Sequence, residues 1–408
     1  SRIQGGVINI NSDISVLAGG ILGHAVNGEI NVLPGITVTA TGDSVTGLFG
    51  DGLKGAGTWT QPYEANNLGT IDFSNSNDST AIYLNSARGQ NKGTLKVKDD
   101  SIAFYGQNTG TEIYNAGLIE VGSNSVGLYG YNVDSINNLA GSTIQDKGTA
   151  NTGIYNIGTS GTAIINNAGT IDLGDAGTGI YIENGNITNT GTINVGNKVV
   201  SSSVGIYAKD SVLNDAGVVK VGDNGIAFYG DNSILNLNGS DVNISNNGIL
   251  GYGVNNTTIN YNLGNKATSG NVFMYLVDSN VDFNGADITV SDNGMGVYQE
   301  GASLASGYNT LYINKNAAGM YGSGTNLSNT GNVVIQGINS AGLMGGNSNI
   351  TNNSSGTITS GLSQTVGIYS FLKVPAVATS IINNGNISIF ADDSIGIFAS
   401  TLDNNGSS

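Results

Sequence analysis

A three-residue phrase, small then aliphatic then aromatic, returns along this chain at an almost regular interval. It reads Gly153-Ile154-Tyr155, Gly179-Ile180-Tyr181 and Gly205-Ile206-Tyr207, with Ala103-Phe104-Tyr105 and Ala227-Phe228-Tyr229 as variants. Taking the aromatic position as a marker gives Phe49, Tyr83, Tyr105, Tyr129, Tyr155, Tyr181, Tyr207, Tyr229, Tyr252, Tyr275, Tyr298, Tyr321, Met344, Tyr369 and Phe398, most of them 22 to 26 residues apart. A fixed period in that range is the signature of a solenoid, whose repeats pack only on their neighbours. It overrides the two or three globular domains that 408 residues would otherwise suggest.

Each period carries three short strand patterns. Between Tyr181 and Tyr207 these are Asn186–Asn189, Thr192–Val195 and Val204–Tyr207, separated by Gly, Asn and Ser. Runs of about four residues with period-2 alternation are the strand pattern, and no segment holds a 3.6-residue apolar stripe free of Gly and Asn. The expected fold is all-β: a right-handed parallel β-helix of about 15–16 three-stranded coils, roughly 75 Å long at one coil per ~4.8 Å. The sixteenth coil is a weaker match at Gly20-Ile21-Leu22. Residues 1–408 are expected to form a single β-helical segment, a fragment of something longer.

A second column reads Asn-x-Gly-Thr-Ile-x-Val, as at Asn67–Phe73, Asn91–Val97, Asn115–Val121, Asn167–Leu173 and Asn189–Val195. Its two aliphatic residues, two apart, point inward, and the residue between them (Asp72, Lys96, Glu120, Asp172, Asn194) points out. The Asn suits a corner, since it tolerates the left-handed region and its amide can bond the Asn of the next coil.

Two coils are longer than the rest, with extra residues at 51–64 and 370–380. The first holds Trp59, Pro62 and Tyr63; the second holds Phe371, Leu372 and Val374. Insertions in solenoids map to surface loops, which makes these residues candidates for partner binding; a flap covering a strand edge is the alternative. In the marker strand, alternation places Ile in the core and puts Tyr on the opposite face with the small residue. That predicts an exposed ladder through Tyr155, Tyr181, Tyr207 and Tyr229 over a glycine groove. Inward rings, with Gly making room for them, are the alternative.

Composition narrows the function. Thirteen Lys and Arg against 29 Asp and Glu give a net charge of −16, which repels phosphate backbones, so no nucleic-acid partner is expected. There is no cysteine and a single histidine, His24, with no calcium-loop repeat, so no metal or cofactor is expected. The adjacent carboxylates Asp99-Asp100 and Asp392-Asp393 face opposite ways at corners. Glu120 and Asp172 lie two coils apart without a convergent Lys, Arg or His, so no enzyme is expected.

The repeated Asn-x-Gly-Thr-Ile-x-Val followed by Gly-Ile-Tyr resembles the passenger domains of bacterial type V autotransporters. It is most similar to the very large fusobacterial outer-membrane adhesins. That resemblance, from about residue 20 to 400, implies a monomeric cell-surface passenger held to the outer membrane by a C-terminal barrel. It also implies attachment to host cells or other bacteria through a protein or glycan receptor. A lectin or carbohydrate-active β-helix, or a passive spacer, is the alternative.

Overall fold

The computed structural model describes residues 2–52, 63–159, 161, 163–197, 203–239, 241–264, 267–268, 272–372 and 379–401. Among them there is no helix, and every strand pairing is parallel, as a β-solenoid requires. The chain divides into two compact units, Ser1–Val221 and Gly222–Ser408.

In the first unit each coil contributes three strands, as in Thr178–Glu183, Gly185–Asn189 and Thr192–Val195. Each strand pairs in register with its counterpart one coil away: Tyr155 with Tyr181, Asn167 with Asn189, Ile171 with Ile193. Parallel in-register stacking is what turns a sequence repeat into columns of like side chains. The third strand alternates as expected: Ile71, Leu95, Ile119, Ile144, Ile171 and Ile193 are fully buried. The outward column between them runs Asp72, Lys96, Glu120, Gln145, Asp172, Asn194 and Lys220. The second unit repeats the plan, from the marker strand Ile226–Asp231 to Ile395–Thr401. Its early coils carry a buried aromatic cluster of Tyr261, Phe273, Phe283 and Tyr308, to which the marker strand Val272–Val277 contributes Phe273.

The Asn column is a buried ladder of side-chain amides. Asn67 Nδ2 donates to Asn91 Oδ1 at 2.8 Å, and the pattern continues through Asn115, Asn138, Asn167 and Asn189 at 2.7–2.9 Å. It ends on Asp215, whose Oδ1 accepts from Asn189 at 2.6 Å. None of these residues has positive φ, contrary to the expectation from the sequence; the left-handed residues flank the marker strand instead, as Asn124 and Asn132 do. The Gly of the phrase is needed for close approach. A Cβ on Gly117 would stand 2.1 Å from the carbonyl oxygen of Gly93 one coil before.

Many acidic residues of the chain sit in these turns and accept backbone N–H groups from the next coil. Asp99 Oδ1 accepts from Ser123 N at 2.6 Å, Asp175 from Asn197 N at 2.8 Å and Asp292 from Lys315 N at 3.1 Å. Asp100 is itself left-handed, with φ 56°. The carboxylate pair Asp99-Asp100 is therefore turn chemistry, in which one side chain satisfies a backbone donor and the other residue supplies the bend.

Candidate functional site

The marker strand departs from strict alternation, and that departure decides which way the tyrosines face. In Thr178–Glu183 both Gly179 and Ile180 are buried, Tyr181 is half-buried on the outside, Ile182 is buried and Glu183 turns outward. Two consecutive inward residues mark a bend, and the register skips Gly179. The small residue therefore lies in the inner corner, not beneath the rings, and among the described residues no glycine groove runs under the column. A Cβ at Gly179 would meet Ile193 Cγ2 at 2.4 Å and Gly205 O at 2.5 Å.

All fifteen marker positions fall in these strands. In the first unit the rings stack from Tyr83 through Tyr105, Tyr129, Tyr155 and Tyr181 to Tyr207, with centroids 4.7–5.0 Å apart and planes within 22°. In the second unit Tyr229, Tyr252, Tyr275, Tyr298 and Tyr321 form a like stack at 4.3–5.4 Å. Each pair of stacked rings is worth ~0.5–1.5 kcal/mol beyond the area it buries. The hydroxyls reach outward acceptors two residues on: Tyr181 Oη donates to Glu183 Oε2 at 3.1 Å and Tyr298 Oη to Glu300 Oε2 at 3.2 Å. Burial pushes the Tyr105 and Tyr275 hydroxyls up to about 12, and the neighbouring phenols of the column add to it.

The sequence misaligned the first coil. His24, not Leu22, occupies the column, stacked on Phe49 at 4.1 Å with planes 5° apart and with Nε2 3.5 Å from Asp51 Oδ2. Any flat ring fits a stacked column, and no Gly-Ile-Tyr spelling announces this one.

The insertion residues separate into several situations. Trp59, Pro62 and Val374 lie outside the described residues. Tyr63 lies edge-on to Tyr114 at 5.7 Å, with the Arg88 guanidinium 5.7 Å from one ring and 5.8 Å from the other. Arg88 Nε also pairs with Glu112 Oε2 at 2.7 Å. Beside them burial holds the Glu64 carboxyl above its ordinary range, although Arg88 N donates to it at 2.7 Å. Phe371 and Leu372 continue the marker strand Thr365–Leu372 and pair with Ser400 and Thr401, so the extra residues there begin after 372 and not at 370. Phe371 is 9% exposed and stacks on Tyr369 at 5.4 Å. It also leans toward Tyr321 at 6.3 Å, across the place where Met344 replaces a ring.

The outward acidic column has partners that sequence spacing did not show. Lys147 Nζ lies 3.2 Å and Lys96 Nζ 3.6 Å from Glu120, and Gln145 Nε2 donates to it at 2.7 Å. Burial alone would raise the Glu120 carboxyl; the hydrogen bonds from Gln145 and Lys147 and the two ammonium charges outweigh it and hold it low. A carboxylate held ionised among lysines is an ion-pair network on an outer face. Among the described residues no three His, Asp or Glu side chains gather as metal ligands would.

The chain matches no family model and no curated protein. Among solved structures it is similar to a mutant tailspike protein of E. coli bacteriophage HK620 in complex with a pentasaccharide. That match has 9% identity and a TM-score of 0.35, and covers 91% of this chain and 72% of that one.

Proposed function

We propose that this chain is a segment of a bacterial cell-surface adhesin that contacts its partner along the outer, tyrosine-bearing face of the coils. One observation carries the reading: in both units the tyrosine rings form a continuous half-buried column with their edges and hydroxyls on the outside. A solenoid can fill its core without such a column, and outward aromatic surface is what protein and glycan contacts use. The Asn-x-Gly-Thr-Ile-x-Val and Gly-Ile-Tyr columns, shared in kind with autotransporter passengers, support a place outside the outer membrane. The receptor is then a protein or glycan of a host cell or of another bacterium.

The test is attachment of beads coated with the chain to epithelial cells and to bacterial cells. Compared with the native sequence, a variant carrying Tyr155→Ala, Tyr181→Ala, Tyr207→Ala and Tyr252→Ala is expected to attach at least several-fold less while keeping its β circular dichroism. Failure of the native chain to attach to either cell type refutes the adhesin reading. Equal attachment by a folded variant refutes the tyrosine face as the contact.

A further inference from the structure

We propose that a groove on the second unit, beside Met344, binds a neutral, extended oligosaccharide. This rests on the adhesive reading above and specifies its partner.

The groove has a cause in the columns. On the outer face, three residues before the marker, successive coils carry Val272, Met295, Ala318, Ala341, Val366 and Ile395. Two alanines in adjacent coils remove side-chain bulk, and in the second of these coils Met344 stands where its neighbours have rings. The result is an open groove of about 710 Å³ crossing several coils. Its aromatic side is formed by Tyr369 and Phe398. The opposite side is a ladder of exposed amides at the left-handed corners Asn293, Asn316 and Asn339. Asn316 Nδ2 donates to Asn293 Oδ1 at 3.1 Å, and Asn339 Nδ2 to Asn316 Oδ1 at 3.3 Å.

This combination selects a ligand class. A primary amide offers two donors and two acceptor positions, and the ladder uses one of each, so every rung keeps a donor and an acceptor for a ligand. The ladder holds the amides rigid and in line, which cuts the entropy cost of binding. A ligand lying here needs hydroxyl-like groups along one edge, an apolar face toward the rings and methionine, and a repeat near the ~4.8 Å coil spacing. A chain of pyranose rings meets all three. An added peptide strand does not, because the groove floor is a sheet face and strand addition needs a free edge. Charge sets the remaining choice. No lining residue is charged, the far side of the tyrosine column carries Asp278 and Glu300, and the chain bears −16 overall. Sialylated, sulfated or uronic chains are thereby disfavoured against neutral ones.

The test uses the whole chain and an array of neutral β-linked hexose and N-acetylhexosamine hexasaccharides, with sulfated and uronic counterparts beside them. Titration calorimetry follows for any hit. Ala318→Met with Ala341→Met fills the groove with a side chain that Met295 already carries at the equivalent position one coil before Ala318, so the fold should persist. Expected are binding of at least one neutral hexasaccharide, a tenfold or greater loss in the double methionine variant and in Asn316→Ala, and no binding of the anionic counterparts. The proposal is overturned if no neutral glycan binds, if the filled variant binds equally well, or if only anionic glycans bind. Self-association abolished by the filled variant would also overturn it, by assigning the groove to a second copy. Cell attachment that survives any of these outcomes leaves the adhesive reading standing, so the two can fail separately.

Discussion

Asn115→Ala cuts the amide ladder of the first unit at its middle, and the structure sets the size of the effect. The Asn115 side chain donates to Asn138 Oδ1 at 2.8 Å and accepts from Asn91 Nδ2 at 2.9 Å and from Gly117 N at 3.3 Å. After truncation Asn91 Nδ2 keeps the Leu118 carbonyl at 3.3 Å, and Asn138 Oδ1 keeps the Ser142 hydroxyl at 2.7 Å. Neither neighbour is wholly orphaned. Two lost buried bonds at roughly 1 kcal/mol each, with roughly 1 kcal/mol more for groups left partly unsatisfied, give about 3 kcal/mol. Stacked repeats unfold by parts, so a single melting curve is a poor gauge. Native-state hydrogen exchange is better, read at the amides of Leu118 and Thr143, which bond to Gly93 O and Gly117 O. Their protection should fall by about two powers of ten, since each 1.4 kcal/mol is tenfold. Asn194→Ala, on the exposed column, is the control, and it should cost less than about 0.5 kcal/mol. If Asn115→Ala costs no more than this control, the ladder is ornament and the reasoning is wrong.

Three further outcomes are expected. Burial holds the Asp215 carboxyl above its ordinary range, despite hydrogen bonds from Asn189 and the backbone of Gly217, and leaves Oδ2 without a partner. Because the unfolded carboxyl ionises at lower pH, the native chain loses stability as pH climbs from near 3.8 through the folded value, whereas Asp215→Asn does not. The variant should match the native chain in melting near pH 3 and exceed it at pH 7, and a gap that ignores pH counts against this. Gly117→Ala drives a methyl into the Gly93 backbone and should cost on the order of 2 kcal/mol or more, which chemical denaturation can measure. The Tyr105 and Tyr275 hydroxyls, lifted from 10.0 to about 12, release their protons more readily in the unfolded chain. Stability should therefore fall as pH rises from 10 through 12, with phenolate absorbance lagging behind that of free tyrosine until the coils open. Phenolate absorbance that follows free tyrosine in the folded chain would refute this account.

Much of the fold was legible because stacking in register copies a local pattern into a column. Ile71, Leu95, Ile119 and their successors could be placed in the core from period-2 alternation alone. The same rule misplaced Gly179, because a bend at the corner sets two successive residues inward and breaks the alternation there. Asn138 escaped the ladder motif because Leu139-Ala140-Gly141-Ser142 separates it from Thr143, two residues more than the usual spelling, and only the structure shows Asn115 donating to it. Asp215 escaped it because a carboxyl stands where the pattern has an amide. The groove at Met344 was invisible for a different reason. It is made by what Ala318, Ala341 and Met344 lack, and an absence of side-chain bulk across neighbouring coils leaves no motif in any one of them.

The amide ladder also has a direction. From Asn67 to Asn189 every Nδ2 faces the coil that follows, so each finished coil presents a donor and each new coil must bring an acceptor. Chain length within the first unit is thus modular. A duplicated coil carrying Asn at this position can be spliced between any two rungs, since it receives on one side what it gives on the other. Asp215 closes the series, because an ionised carboxyl accepts from Asn189 and has nothing to hand on. An added Asn coil should therefore gain a rung upstream of Asp215 and none just after it, so one exchange, amide nitrogen for carboxylate oxygen, ends the ladder but not the run of coils.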